Sequence, residues 1–299
     1  MRGRNNQTFK QELVYAMRAL ADLLMPRRCL VCGEVLETRL DSPAEDTYLL
    51  HYLCPSCAED LPETFFWGWR ENPAEQQLWH RVGIVQAASL YFYRQGSDYT
   101  RLVQAVKYEA NLPLGRALGR ELGRRMRMAG RFSQPVTDPV TGEVIPPFQA
   151  IVPVPLHHLR RWRRGYNQAE IIARGLAEGF ADGRRSVCGG QTRRRLFPFA
   201  RSKQSGAAEA EILLPVVADL LRRKRYTRTQ TKLSAEEKQR NVAGAFVLQP
   251  KVVERLIARG VRHLLLVDDV MTTGSTLSEA VKPLLEHFYV SVATIAFVE

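Results

Sequence analysis

From Val85 onward, short apolar runs alternate with stretches of helical period, the pattern of an α/β fold with a largely parallel sheet. Residues 87–93 predict a strand, and 98–107 and 112–128 predict helices. Four prolines within 131–147 predict a polar loop. A second strand is expected at 148–153 and a helix of apolar period at 168–180, with further strands at 245–249 and 262–268. Residues 291–298 are expected to close the sheet. Upstream, Phe9, Leu13, Met17, Leu20 and Leu24 fall on one side of an amphipathic helix. The aromatic run Phe65, Phe66, Trp67, Trp69 and Trp79 reads as a packed seam rather than an exposed binding surface. No internal repeat is evident.

The chemistry concentrates where one of these strands meets a helix. Leu264, Leu265, Leu266 and Val267 read as a buried strand, and the adjacent carboxylates Asp268 and Asp269 mark its expected end. After Val270 and Met271 comes a hydroxyl-rich loop, Thr272, Thr273, Gly274, Ser275 and Thr276. Leu277, Ala280, Val281, Leu284 and Leu285 then repeat with helical period. Open α/β sheets bind ligands beyond the carboxyl ends of their strands. A helix start offers free N–H groups and a partial positive charge, which suits a phosphate. Two carboxylates beside such a cradle would repel a bare polyphosphate, but they suit sugar hydroxyls or a nearby magnesium ion. The corner therefore reads as a site for a phosphorylated sugar. The plainer reading is a strand, a turn and a capped helix with no ligand.

Charge and composition narrow the class further. The net charge is +12, and it is unevenly spread. Residues 1–80 carry 8 Lys/Arg against 12 Asp/Glu, and the remainder 35 against 19. Basic clusters lie at Arg160, Arg161, Arg163 and Arg164, across 184–203, and from Arg222 to Lys232. They can attract nucleic acid or a highly charged small anion, or can be solvated surface. The segment 183–207 reads as a basic insertion of low order. No apolar run is long enough for stable membrane insertion. The charged 9–24 segment lacks the core of a signal peptide, so a cytoplasmic location is expected.

Four of the five cysteines form two pairs, Cys29-x2-Cys32 and Cys54-x2-Cys57, separated by 21 residues. Such knuckles can deliver four thiolates to a tetrahedral structural zinc with no position open to substrate. Disulfides or a redox pair are the alternatives, and the absence of an export signal favours the metal. His51 reads as a surface histidine, and Cys188 as incidental.

Two further segments complete the pattern. Val154 to Gln168 runs PLHHLRRWRRGYNQ from Pro155, an array of guanidinium groups suited to phosphate. Arg228-Thr-Gln-Thr-Lys-Leu-Ser234 and Arg240-Asn241-Val-Ala-Gly-Ala-Phe246 flank a short charged stretch, the pattern of a mobile flap. With the Val106-Lys107-Tyr108 segment between the cysteines and these motifs, the chain resembles the ComF family, which includes GntX-like proteins and is associated with DNA uptake in competent bacteria. The resemblance covers most of the chain outside 131–147 and about 183–207.

That resemblance implies a type I phosphoribosyltransferase fold, a largely parallel central sheet flanked by helices and preceded by a small zinc-ribbon module. It implies a first domain at 1–62 and a second at 63–299. It implies binding of phosphoribosyl pyrophosphate with magnesium. Asp268 and Asp269 would meet the ribose hydroxyls, Thr272 to Thr276 the 5′-phosphate, and Arg163 and Arg164 the pyrophosphate. Asp268, Asp269 and Arg164 would be the catalytic residues, and Gln230, Ser234, Arg240 and Asn241 would lie on the flap. A transferase acting on an unknown acceptor is one implied activity. A non-catalytic factor binding single-stranded DNA or DNA-uptake proteins is the alternative.

Overall fold

A computed structural model describes residues 26–36, 48–156, 165–188, 214–224 and 244–299. The expectations for the 9–24 helix, for Arg163 and Arg164, for residues 189–207, and for Gln230, Ser234, Arg240 and Asn241 lie outside the described residues. In chain order the helices are α1 (Pro55–Glu59), α2 (Pro73–Trp79), α3 (Thr100–Tyr108), α4 (Leu112–Ala129), α5 (Gln168–Cys188), α6 (Pro250–Ala258) and α7 (Ser275–Leu284). The strands are β1 (Ala87–Tyr93), β2 (Val136–Thr137), β3 (Val144–Ile145), β4 (Ala150–Pro153), β5 (Leu221–Arg223), β6 (Phe246–Leu248), β7 (His263–Met271) and β8 (Tyr289–Val298). Four of them form one sheet in the order β1-β8-β7-β4, with every neighbour parallel.

Parallel strands are covered on both faces, which is why β7 reads as an unbroken apolar run. Leu264, Leu265, Leu266 and Val267 are each fully buried. Leu265 and Val267 face a core built with α3, α4 and α5, while Leu264 and Leu266 face one built with α2, α6 and α7. The first core also takes in Cys29, Val31, Leu36, Leu49 and Leu53, so the cysteine segment packs against the same apolar interior as α4. The α/β reading with a parallel sheet between helices is thus borne out.

Contact between α4 and α5 is unusually close. A Cβ on Gly119 would stand 2.3 Å from the Ile172 carbonyl oxygen, and one on Gly179 would stand 1.9 Å from that of Arg120. Gly123 and Gly175 meet the opposite backbone in the same way, at 2.2 and 2.1 Å. The helices therefore touch main chain to main chain, with no room for a side chain between them. Glu178 fastens the edge of this contact, accepting from Arg116 Nε at 2.9 Å and Arg120 Nε at 2.5 Å.

Buried polar groups pin the strand start. Asn72 caps α2 through the Glu75 N–H at 3.1 Å, and its amide donates to the Ala87 carbonyl at 3.0 Å. Glu75, fully buried, accepts the Ala87 N–H at 2.8 Å and pairs with Arg131. His263 must donate from Nδ1 to the Pro146 carbonyl, at 2.7 Å, because a carbonyl can only accept. Its Nε2 then accepts from Ser291 Oγ at 2.9 Å. Burial pulls this imidazole down to about 4, so it stays neutral and structural.

Several elements differ from the sequence-based expectation. The expected loop 131–147 contains the β2–β3 hairpin, because Asp138 accepts from the Val140 and Thr141 N–H groups and turns the chain. Helix α5 continues past Phe180 to Cys188. The strand expected at 245–249 is β6, but it pairs antiparallel with β5, outside the parallel sheet. The aromatic run is only partly a seam: Phe66 and Trp67 are buried, while Phe65 is 60% and Trp69 53% exposed. Among the described residues no helix is long and apolar enough to cross a membrane.

Replacing Gly119 or Gly179 by alanine should lower stability by roughly 1–3 kcal/mol or more through overpacking. Denaturant unfolding measures this, and an unchanged midpoint for both variants would show that the helices can separate at no cost.

Candidate functional site

The two carboxylates do not follow the central strand; they lie within it. Asp268 pairs with Thr294, Val270 with Ala296 and Met271 with Phe297, so β7 runs on to Met271. Its ten-residue neighbour β8 keeps offering hydrogen-bond partners beyond the point where the apolar run stops. Along Leu264 to Val267 successive residues face alternate cores, but this alternation does not carry through the tip. The alternation slips at this level, since Leu90 and Tyr91, and likewise Ile295 and Ala296, are consecutive residues of one core.

Asp269 turns toward α3. Its Oδ1 lies 3.2 Å from Lys107 Nζ, and the two side chains are only 18% and 23% exposed. Asp269 also borders a small cavity otherwise lined by Val103, Val106, Leu118, Ile172 and Ile295. Burial works against the Lys107 charge, but Asp269 and Asp268 outweigh it and hold the ammonium above its usual value. Asp268 accepts the Asp269 N–H at 2.8 Å. Burial, reinforced by the Asp269 charge, pushes its carboxyl up to about 7, and Lys107 and Arg223 oppose the shift only in part.

Beyond Met271 the chain turns through Gly274 at φ +70°, where a Cβ would stand 3.1 Å from Leu78 on α2. Glycine is thus needed for both the backbone angle and the fit. Gly274 is the N-cap of α7, and no side chain caps it. Thr273 Oγ1 donates to Ser275 Oγ at 3.1 Å, Ser278 Oγ to the Gly274 carbonyl at 2.8 Å, and Gln77 Nε2 to the Thr272 carbonyl at 2.9 Å. Thr272 is exposed, Thr273 and Thr276 are partly so, and Gly274 and Ser275 are buried. An uncapped helix start with hydroxyls beside it can hold an anion.

The end of the arginine-rich segment converges on the same corner. The Val154 N–H extends the β4 ladder to the Val267 carbonyl at 2.8 Å. Asn167 Nδ2 donates to the Val154 carbonyl at 3.1 Å, and Tyr166 Oη to the Val106 carbonyl at 2.7 Å. Among the described residues, Asn167 Oδ1 and Gln168 Nε2 are buried without a hydrogen-bond partner. The Gly244 N–H donates to Glu279 on α7 at 3.1 Å, which ties the end of the expected flap to the same helix. Sequence reasoning missed the Glu279 contact, and it named Lys107 only as part of a segment. Nothing in the spacing of Lys107 and Asp269, 162 residues apart, signals that they meet.

The cysteine pairs form a second centre. The sulfurs of Cys29, Cys32, Cys54 and Cys57 all lie within 4.8 Å of one another, and Cys32 and Cys54 are 3.7 Å apart. A tetrahedral zinc with bonds of about 2.3 Å has edges of about 3.8 Å, so four thiolates so placed could hold a structural zinc. Gly33, at φ +79°, returns the first knuckle and donates to the Cys29 carbonyl at 2.9 Å. Burial raises the Cys29 thiol, but the backbone N–H groups of Cys32, Cys54 and Val31 outweigh it and bring the thiol down to about 7. Burial and the neighbouring cysteines push Cys57 upward. The centre is docked by Tyr99 Oη on the Cys57 carbonyl at 2.9 Å and by Arg101 on the Val31 carbonyl at 3.2 Å. His51 is exposed and stands outside the four-sulfur cluster.

Fold and sites together define an α/β protein with a parallel sheet, an acidic strand tip beside an uncapped helix, and a four-cysteine cluster. No family model matches the chain. The chain is 33% identical over 134 residues to competence protein F of Haemophilus influenzae, covering 45% of this chain and 43% of that protein. It is 31% identical over 137 residues to the DNA utilization protein YhgH of Escherichia coli, and 32% identical to that of Salmonella typhi. The chain spans less than half the length of the curated relatives it matches, 43% in each of these three. These matches bear out the resemblance to the ComF family.

Replacing Cys54 by serine should release one equivalent of zinc from the purified protein, as read by elemental analysis. It should also lower Tm by the loss of metal-coupled folding energy. Wild type carrying no zinc, with Tm unmoved by a strong chelator, would remove the metal from the account.

Proposed function

We propose that the corner between β7 and α7 binds phosphoribosyl pyrophosphate, and that the chain acts in DNA uptake or DNA utilization as its relatives' names indicate. The single observation that carries the ligand is the uncapped N-terminus of α7 directly beyond Asp268 and Asp269. In this reading Thr272, Thr273, Gly274, Ser275 and Thr276 hold the 5′-phosphate. Asp268 and Asp269 meet the ribose hydroxyls, and Arg163 and Arg164 take the pyrophosphate. Magnesium, brought with the pyrophosphate, would find oxygen donors in the same carboxylates and would supply positive charge to the leaving group. Gln230, Ser234, Arg240 and Asn241 would close over the bound molecule. Residues 1–62 would form a zinc-ribbon module against a transferase-like domain at 63–299.

Transfer is the chemistry such a site would perform. A nitrogen nucleophile displaces pyrophosphate at the anomeric carbon, and preorganised charges stabilise the positive character of the sugar. In this reading Asp268, Asp269 and Arg164 do this. Calorimetry with phosphoribosyl pyrophosphate and magnesium tests the site. Wild type should bind, and Asp268→Asn/Asp269→Asn should lose about tenfold or more in affinity, since each carboxylate forms charge-assisted hydrogen bonds. Because the Asp268 carboxyl is raised to about 7, affinity that depends on its ionised form should fall as the pH drops through that value. No binding by wild type sinks the ligand assignment. Binding without pyrophosphate release, for any nucleobase or amine tried, sinks the transferase but not the site.

The relatives named for competence and DNA utilization favour a second reading, a non-catalytic factor that binds single-stranded DNA or a DNA-uptake protein. The excess of basic residues beyond residue 80 supports it. Single-stranded oligonucleotide should then bind at low salt and weaken steeply as salt is raised. Anisotropy that stays flat at low ionic strength rules the nucleic acid out.

A further inference from the structure

Two aspartates beside the start of α7 set a charge problem for any phosphorylated ligand, because like charges a few ångströms apart repel strongly where water is scarce. The chain sets a cation against one of them. Lys107 sits in the last turn of α3 and reaches Asp269 at 3.2 Å, with both side chains largely covered. Such a shielded pair is screened by salt far less than a surface pair. The position of Lys107 is held on its chain neighbour: Val106 is buried in the core, and its carbonyl accepts Tyr166 Oη. An ammonium has three N–H donors, and the Asp269 contact uses one of them. The reading of the corner as a sugar-phosphate site leaves this lysine without a task.

We infer that Lys107 is a positioning residue that neutralises Asp269, so that the paired carboxylates present one net negative charge rather than two and the corner accepts ribose 5-phosphate without a divalent cation. This rests on the sugar-phosphate reading of the corner. The lysine holds the Asp269 oxygen in place for a ribose hydroxyl and lowers the repulsion that the 5′-phosphate meets on arrival. In the same way it makes the tip of β7 tolerable as a buried acidic pair.

The test uses the full chain, ribose 5-phosphate as the probe, and calorimetry in the presence of EDTA. Wild type should bind. Lys107→Met should weaken binding about tenfold or more, and Lys107→Arg should stay within a few-fold of wild type. If the lysine works through Asp269, adding Lys107→Met to Asp269→Asn should change affinity little. A purely structural lysine would cost the same in both backgrounds. Should Lys107→Met fail to fold, the comparison of Asp269→Asn with the double variant still decides, because the double variant leaves no unpaired buried charge. Unchanged affinity in Lys107→Met, or a full loss on adding it to Asp269→Asn, overturns the inference while leaving the site reading intact. Wild type that binds neither ribose 5-phosphate nor phosphoribosyl pyrophosphate overturns both.

Discussion

The central strand β7 is hydrogen-bonded on both edges, by β4 on one side and β8 on the other, and Leu264 to Val267 are completely buried. Two apolar cores meet across it. That double constraint fixes the strand in height and rotation, and the positions of Asp268, Asp269 and the following turn are consequences of it. Neither carboxylate could be carried into a half-buried position by a loop, since an unsupported chain would swing the charge into water. The ladder to β8 keeps them within the strand, where Asp269 is turned to Lys107 of α3.

The helices serve this strand in two ways. On one face, α4 and α5 touch backbone to backbone through glycines and form a thin, rigid layer. Where α3 meets this layer, a Cβ on Gly115 of α4 would stand 3.2 Å from Val106 Cγ1, so the helix carrying Lys107 also packs closely. On the other face, α7 begins where β7 ends, and Gly274 is pressed against Leu78 of α2. The start of α7 is therefore held by packing rather than by a capping side chain. A helix whose first turn is positioned but uncapped keeps its N–H groups available to a ligand. The cysteine centre shares the α4 core and is fastened to α3 by Tyr99 and Arg101. A metal bound there would therefore be coupled to the helix that carries Lys107.

The charge pattern of the corner follows from the same geometry. Asp268 is raised by burial and by its neighbour, whereas Lys107 is kept charged by both aspartates. An acidic pair of this kind is stable only with a cation inside the protein or a ligand outside it. This couples the packing of α3 to the chemistry proposed for the site, because the same ammonium completes the fold and sets the charge that a phosphate would meet.

Much of this was legible in the chain itself. Short apolar runs and period-3.6 patterns gave β1, β8, α3 and α4 nearly to the residue, because burial on a regular element leaves its mark in the sequence. The Cys-x2-Cys pairs announced their cluster, because a tight knuckle brings two thiolates together locally. The hydroxyl loop after Asp269 announced the start of α7 for a similar local reason. What the sequence could not contain was anything set by partners far along the chain. The continuation of β7 past its carboxylates depends on the length of β8. The antiparallel pairing of β6 depends on β5, whose run of Leu-Arg-Arg carries no clear period. The hairpin hidden in the proline-rich 131–147 segment depends on the Asp138 turn holding two very short strands together. The meeting of Lys107 with Asp269 depends on how α3 packs over β7, elements far apart in the chain. Local spacing encodes local geometry, and only the folded chain decides which distant charges become neighbours.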